Sequence, residues 1–149
     1  MANGKTTAPP DAAEAKQRVR EAGLRATAAR IAVVRELARQ SRPASHGEVV
    51  DALADLGFDQ STLFRCLNEL ADAGLVARLD LGDHVRRFEL TTAATNGAVE
   101  HPHFMCTSCG ELSCLSGYEI RVTPKEGGDA RPIGSVSEVL VRGVCARCG

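Results

Sequence analysis

Two cysteine pairs carry the clearest chemistry in this sequence. They are Cys106-Thr-Ser-Cys109-Gly and Cys145-Ala-Arg-Cys148-Gly. A two-residue spacer lets one tight turn aim two thiolates at one ion, and the glycine after each pair lets the backbone curl. Zn2+ takes four ligands in a tetrahedron with sulfur at ~2.3 Å, so the two pairs together make a four-cysteine zinc site. A pair of redox dithiols is the alternative, but a thioredoxin-like motif sits between a strand and a helix. Each pair here follows strand-like sequence. A bound metal also answers a stability problem, because the C-terminal stretch has few large apolar groups to bury.

A second set of donors lies near the first. His101 and His103 are two apart, so in an extended segment both side chains point to one side, as joint ligation requires. Asp83 and His84 sit in a turn signal, and Cys114 follows the first cysteine pair. Asp83, His101, His103 and Cys114 are the candidate ligands of a second, regulatory metal. Such a cluster would span a hinge and let a metal fix the orientation of two halves, which is what a metal-operated switch needs. Two surface histidines on a linker, and a Cys114 that is only a small buried hydrophobe, are the plainer readings. Cys66 falls on an apolar helix stripe and reads as structural.

The elements that must position these groups change character near residue 91. Residues 1–10 read as a disordered tail. Residues 11–22 suit a helix stopped by Gly23. Thr27 caps a second helix whose stripe is Ile31, Val34, Leu37 and Ala38. Ser45 and Glu48 form a capping box for a third, which buries Val49, Val50, Leu53 and Leu56 and ends at Gly57. A fourth opens at Gln60 or Ser61, buries Leu63, Cys66, Leu67 and Leu70, and stops at Gly74. Residues 75–79 and 85–90 then read as two strands joined by a Gly82-Asp83 turn. Helices followed by a hairpin is the order of a winged helix-turn-helix, whose last helix enters the DNA major groove. The polar side of the fourth helix offers Ser61, Arg65 and Asn68, with Phe64 beside them, types that reach phosphates, base edges and thymine methyls. Residues 91–97 form the hinge. Beyond it HFMCTSC, YEIRV and SEVLVRGVC read as short strands, and residues 123–134 as a loop.

Charge and composition narrow the partners. Residues 16–42 hold eight Lys/Arg and two Glu, a net of +6, while residues 48–83 hold two Arg and eight acids, a net of −6. The cationic segment suits a polyanion even though the whole chain carries −1. Aromatics are only 3% of residues, which argues against single-strand binding by base stacking. No run approaches the ~20 apolar residues of a membrane helix, and the N-terminus lacks a signal-peptide core, so the expected site is the cytoplasm, with no membrane partner. No nucleophile–base–acid set and no Gly-rich phosphate loop occurs, so neither an enzyme nor a small-molecule substrate is expected. A dithiol redox protein and a zinc-ribbon adaptor for another protein stand as the other function classes.

Across residues 18–114 and 138–149 the chain resembles the ferric-uptake-regulator family of bacterial metal-dependent transcription repressors. The likeness is carried by Gly23-Leu24-Arg25-Ala26-Thr27-Ala28-Ala29-Arg30, Ser61-Thr62-Leu63-Phe64-Arg65-Cys66-Leu67, the hairpin from Gly82 to Leu90, His101 to Gly110, and Arg142 to Cys148. The resemblance implies an α+β chain: a winged helix-turn-helix at 11–90, a hinge at 91–97, and a small α/β dimerisation and metal-binding domain at 98–149 with the four-cysteine zinc site. It implies a homodimer that binds palindromic double-stranded operator DNA when loaded with a regulatory divalent metal. Arg25, Ser61, Thr62, Phe64, Arg65 and Asn68 would be its DNA contacts. Phe64 stands where the family usually has Tyr, which keeps apolar contact and loses a hydroxyl. The family's His before the third helix is matched by Pro43, with His46 three residues late. Cys114 stands where an acidic ligand is usual, and a thiolate favours Zn2+ over Fe2+ or Mn2+. A zinc-uptake-type regulator is therefore the first expectation, and an iron-, manganese- or peroxide-sensing member the second.

Overall fold

The computed structural model describes residues 8–40, 42–91, 102–129, 131–134, 136 and 138–149. The chain divides into two units between residues 100 and 101.

The first unit opens with α1 (Ala12–Glu21), capped by the Asp11 side chain on the Glu14 N–H. Pro10, placed in the tail by the sequence reading, is buried instead, and residues 1–7 lie outside the described residues. α2 (Ala28–Arg39) starts at Thr27, whose hydroxyl accepts from the Arg30 N–H. Its buried side is Ala29, Val33, Val34 and Leu37, so Ile31 and Ala38 sit half-buried at the edge of the stripe. A two-residue strand, β1 (Ala44–Ser45), leads into α3 (His46–Ala52). The Ser45–Glu48 capping box is present in both directions. α3 is shorter than the sequence pattern suggests. It gives way to a 3-10 turn at Ala54–Leu56, which ends on Gly57 at φ 72°, and the tighter winding turns Leu56 out to 58% exposure.

α4 (Gln60–Asp72) buries Leu63, Cys66, Leu67 and Leu70, as its periodicity requires. β2 (Val76–Asp80) and β3 (Arg86–Leu90) form the antiparallel hairpin, with Val76 opposite Leu90 and Asp80 opposite Arg86. β1 adds to the other edge of β3, pairing Ala44 with Phe88, so the sheet order is β1-β3-β2. The core of this unit is aliphatic around one aromatic, Phe88. The turn of the hairpin carries two left-handed residues, Gly82 at φ 78° and His84 at φ 62°. Left-handed backbone is uncommon for a non-glycine residue, and His is among the types that tolerate it. Thr91 closes the unit rather than opening a hinge. Its N–H donates to the Leu75 carbonyl and its hydroxyl to Gly74. Residues 92–97, the rest of the expected hinge, lie outside the described residues.

The second unit is a three-stranded sheet in the order β5-β4-β6, from β4 (His103–Cys106), β5 (Leu112–Cys114) and β6 (Leu140–Gly143). β4 and β5 are antiparallel, with His103 opposite Cys114. β4 and β6 are parallel, with Cys106 opposite Gly143. The YEIRV segment, expected as a strand, pairs with nothing among the described residues. Tyr118, Ile120 and Val122 are exposed, and the strand forms at Leu112–Cys114 instead. A short knuckle folds β5 straight back onto β4, and with β6 on its other side β4 has no edge left for YEIRV.

Candidate metal centre and nucleic-acid interface

The sheet of the second unit delivers the four knuckle cysteines to one point. Cys106 ends β4, and its knuckle turns at Gly110, which has φ 74° and donates its N–H to the Cys106 carbonyl. The second knuckle follows β6. Because β6 lies parallel to β4, both strands release their cysteines at the same end of the sheet. Thr107 fastens the two together through its N–H and hydroxyl, both donated to the Gly143 carbonyl. The Sγ atoms of Cys106, Cys109, Cys145 and Cys148 all lie within 4.8 Å of one another. Cys109 and Cys145 are 3.9 Å apart. A tetrahedron of four sulfurs around one metal, with ~2.3 Å bonds, has edges of about 3.8 Å. The four donors are therefore grouped as a tetrahedral thiolate-bound metal requires, and all six cysteines are free of disulfides.

The electrostatics agree. The N–H groups of Cys109 and Cys145 point at Cys106 Sγ from 3.5 and 3.4 Å. They hold its thiol down at about 6. A hydrogen bond to Cys106 pushes Cys109 upward, and a hydrogen bond between Cys148 and Cys145 pushes Cys148 up to about 11. One negative sulfur is easy and four are not, until a divalent cation supplies the opposing charge. The sequence offers Arg142 and Arg147 as partial counter-charges, and of these the Arg147 guanidinium pairs with Glu111.

Of the second set of candidate ligands, the β4–β5 pairing brings together two. A ring nitrogen of His103 and Cys114 Sγ lie within 4.8 Å. His103 is fully buried and Cys114 half-buried. His101 lies outside the described residues. Asp83 belongs to no group of three candidate ligands among the described residues. Its carboxylate serves the hairpin turn, accepting from the Val85 N–H at 3.1 Å and pairing with Arg87 at 2.8 Å, and that arginine lowers its pKa. His46 is held elsewhere as well: its Nε2 donates to the Gln60 carbonyl at 2.9 Å, which places a proton on that nitrogen. Cys66 lies in the core, where burial raises its thiol pKa.

The outer side of α4 is exposed at Gln60, Ser61, Phe64 and Arg65, a contiguous face on the N-terminal half of the helix. Phe64 is 48% exposed, and the His46 ring meets it edge-on at 5.3 Å. Arg65 makes no ion pair among the described residues. Thr62 is half-buried beside them. The Ser61 hydroxyl donates to the Asp59 carboxylate. Asn68 is engaged within the protein: its Nδ2 donates to the Phe64 carbonyl, and its Oδ1 accepts from Arg78 Nε. Arg78 also reaches the Asn68 carbonyl and Asp72, so this arginine of β2 ties the hairpin to the end of α4. Arg25 is exposed in the loop before α2. Sequence reasoning missed Arg78, and the signal was weak, since an arginine on a strand says nothing of which helix it will meet.

The sequence model of the ferric uptake regulator family matches residues 21–131. The ferric uptake regulation protein of Vibrio cholerae is 32% identical over 113 residues, covering 74% of this chain and 72% of that protein. The ferric uptake regulation protein of Legionella pneumophila is 29% identical over 140 residues, covering 91% and 98%. The crystal structure of the Vibrio cholerae ferric uptake regulator superposes with a TM-score of 0.60 at 25% identity, over 87% of this chain and 98% of that one.

Proposed function

The chain belongs to the ferric uptake regulator family, and from that membership we propose that it is a repressor that binds palindromic operator DNA as a homodimer when loaded with a regulatory divalent metal. The observation that carries the reading is the exposed face of α4 on a winged-helix core: an Arg65 with no ion pair among the described residues, beside a half-exposed Phe64. Arg65 is the base-reading side chain, bidentate to guanine, and Phe64 the apolar contact to a thymine methyl. Ser61, Thr62 and Arg25 hold phosphates, and Asn68 acts from behind by holding the Phe64 carbonyl. The exposed Tyr118, Val122, Ile133 and Val136 support a homodimer, since apolar side chains left in water are usual at an unmade interface. The role is not enzymatic and its place is the cytoplasm. No described helix is long and apolar enough to cross a membrane.

Zn2+ is the proposed structural metal of Cys106, Cys109, Cys145 and Cys148. When bound, it contributes folding free energy to the second unit. The regulatory metal is proposed at His103 and Cys114, joined by His101. The thiolate favours Zn2+ there, and an iron- or manganese-responsive regulator is the second reading. A difference of ~1–3 kcal/mol in DNA affinity between metal-loaded and apo protein is enough for a switch.

The test is Arg65→Ala. Its affinity for a duplex selected by the wild-type protein falls ~5- to 150-fold, the worth of one bidentate base contact, with zinc content and dimer mass unchanged. Unchanged duplex binding by this variant would remove α4 as the reader. Retained partner capture with no DNA binding in either protein would favour the zinc-ribbon adaptor. Rapid alkylation of all four knuckle cysteines in the native protein would favour the dithiol.

A further inference from the structure

The cationic segment 16–42 is less available than its charge suggests. Arg18, Arg30, Arg39 and Arg42 each pair with a glutamate, which leaves Lys16, Arg20, Arg25 and Arg35 exposed with no ion pair among the described residues. Three of these four pairs join residues within six positions of each other. Arg30 differs, because its partner Glu69 lies 39 residues away on α4.

The Arg30 side chain is 16% exposed. Its Nε and Nη2 both donate to Glu69 Oε2, at 3.2 and 2.5 Å. Its Nη1 donates to the Arg25 carbonyl at 2.7 Å, a carbonyl that also accepts the Thr27 N–H. One guanidinium thus joins the start of α2, the loop that carries Arg25, and the back of α4. Glu69 stands four residues after Arg65 on α4. Residues at that spacing are neighbours on a helix, and opposite charges there attract. A free Glu69 would draw Arg65 along the helix.

We propose that Arg30 is a positioning residue for DNA recognition, which occupies Glu69 so that Arg65 stays free for DNA and holds the Arg25 loop against α4. The inference rests on α4 being the DNA reader. Arg30 therefore counts as an internal brace and not as a phosphate contact, despite its place in the basic segment. Arg30→Met removes the donors and keeps the length of the side chain. Glu69, released, then competes with DNA for Arg65. Removing its charge as well, in Arg30→Met/Glu69→Gln, takes that competitor away.

The experiment uses the full chain and a duplex recovered by the wild-type protein from a randomised 30-base-pair pool, in Zn2+, Mn2+ and anaerobic Fe2+ buffers. Binding is titrated over a range of salt for wild type, Arg30→Met, Arg30→Lys, Glu69→Gln and the double variant, with thermal melting of each. Arg30→Met weakens binding roughly ten- to a hundred-fold, with the slope of log K against log salt unchanged. Glu69→Gln alone stays within about threefold of wild type, and the double variant regains most of the loss. Arg30→Lys keeps the pair with Glu69 without the reach to Arg25, and lies between; it decides the matter if Arg30→Met does not fold. A slope smaller by about one in Arg30→Met, with no rescue in the double variant, makes Arg30 a phosphate contact and overturns the proposal. Wild-type affinity in a folded Arg30→Met overturns it too. Recovery of no duplex by the wild type overturns the DNA reading first, and this inference with it.

Discussion

Replacing Cys109 by serine separates metal binding from packing. Its side chain is exposed, so the substitution leaves no cavity, and its Sγ is one corner of the sulfur cluster, 3.9 Å from Cys145. A structural zinc contributes ~10–16 kcal/mol to a small domain. Shared over four thiolates, loss of one weakens zinc binding roughly 10²- to 10³-fold. The second unit has little else to hold it. Its buried large apolar side chains among the described residues are Met105 and Leu112, worth about 3–6 kcal/mol together. The first unit carries every helix among the described residues and its own core. Competition with a chromophoric chelator should therefore show weaker zinc binding in Cys109→Ser. Once zinc is withdrawn, amide exchange should accelerate in β4 and β5 while the helical circular dichroism signal stays. Zinc affinity within threefold of wild type would refute the four-thiolate assignment. Protected β4 amides in the zinc-free protein would refute the claim that the metal, and not apolar burial, orders this sheet.

Other expectations concern the first unit. Leu67 is fully buried on α4, so Leu67→Ala costs about 2–5 kcal/mol in urea unfolding. Burial raises the Glu48 carboxyl, but the Ser45 N–H and Arg42 outweigh it and set its pKa below the ordinary value of 4.5. A lowered folded-state pKa gives stability that is present above 4.5 and lost as pH falls through the folded value. Glu48→Gln should accordingly destabilise the protein at pH 7, and the gap to wild type should close on acid titration below 4.5; a gap that persists in acid would contradict the assignment of this stability to the ionised carboxylate beside the Ser45 N–H and Arg42. Cys66 is buried with a raised thiol pKa, so a thiol reagent should modify it only at the rate of unfolding of the first unit. Labelling of Cys66 as fast as of Cys114 in the folded protein would mean that α4 opens locally.

The elements of the first unit were legible because helices and their caps are local. Ser45 with Glu48, Thr27 before α2, and the 3–4 spacing of Leu63, Cys66, Leu67 and Leu70 each act within one or two turns of chain. The two cysteine knuckles were legible for the same reason, since a two-residue spacer sets its own turn. What the sequence could not decide were pairings across long separations. Nothing local says that Leu112–Cys114 and not YEIRV pairs with β4, that β6 runs parallel to β4 and so brings the second knuckle to the first, or that Ala44–Ser45 joins the hairpin. Nor does charge spacing reveal which cations remain available. Spacing does not say that the Asp83 carboxylate meets Arg87, that the Asn68 amide meets Arg78 and the Phe64 carbonyl, or that Glu69 meets Arg30 from 39 residues away. Residue type determined what each side chain could do. Tertiary structure decided which of them already hold a partner within the protein, because a hydrogen bond or ion pair made inside must be shared or exchanged before the same group serves a partner outside.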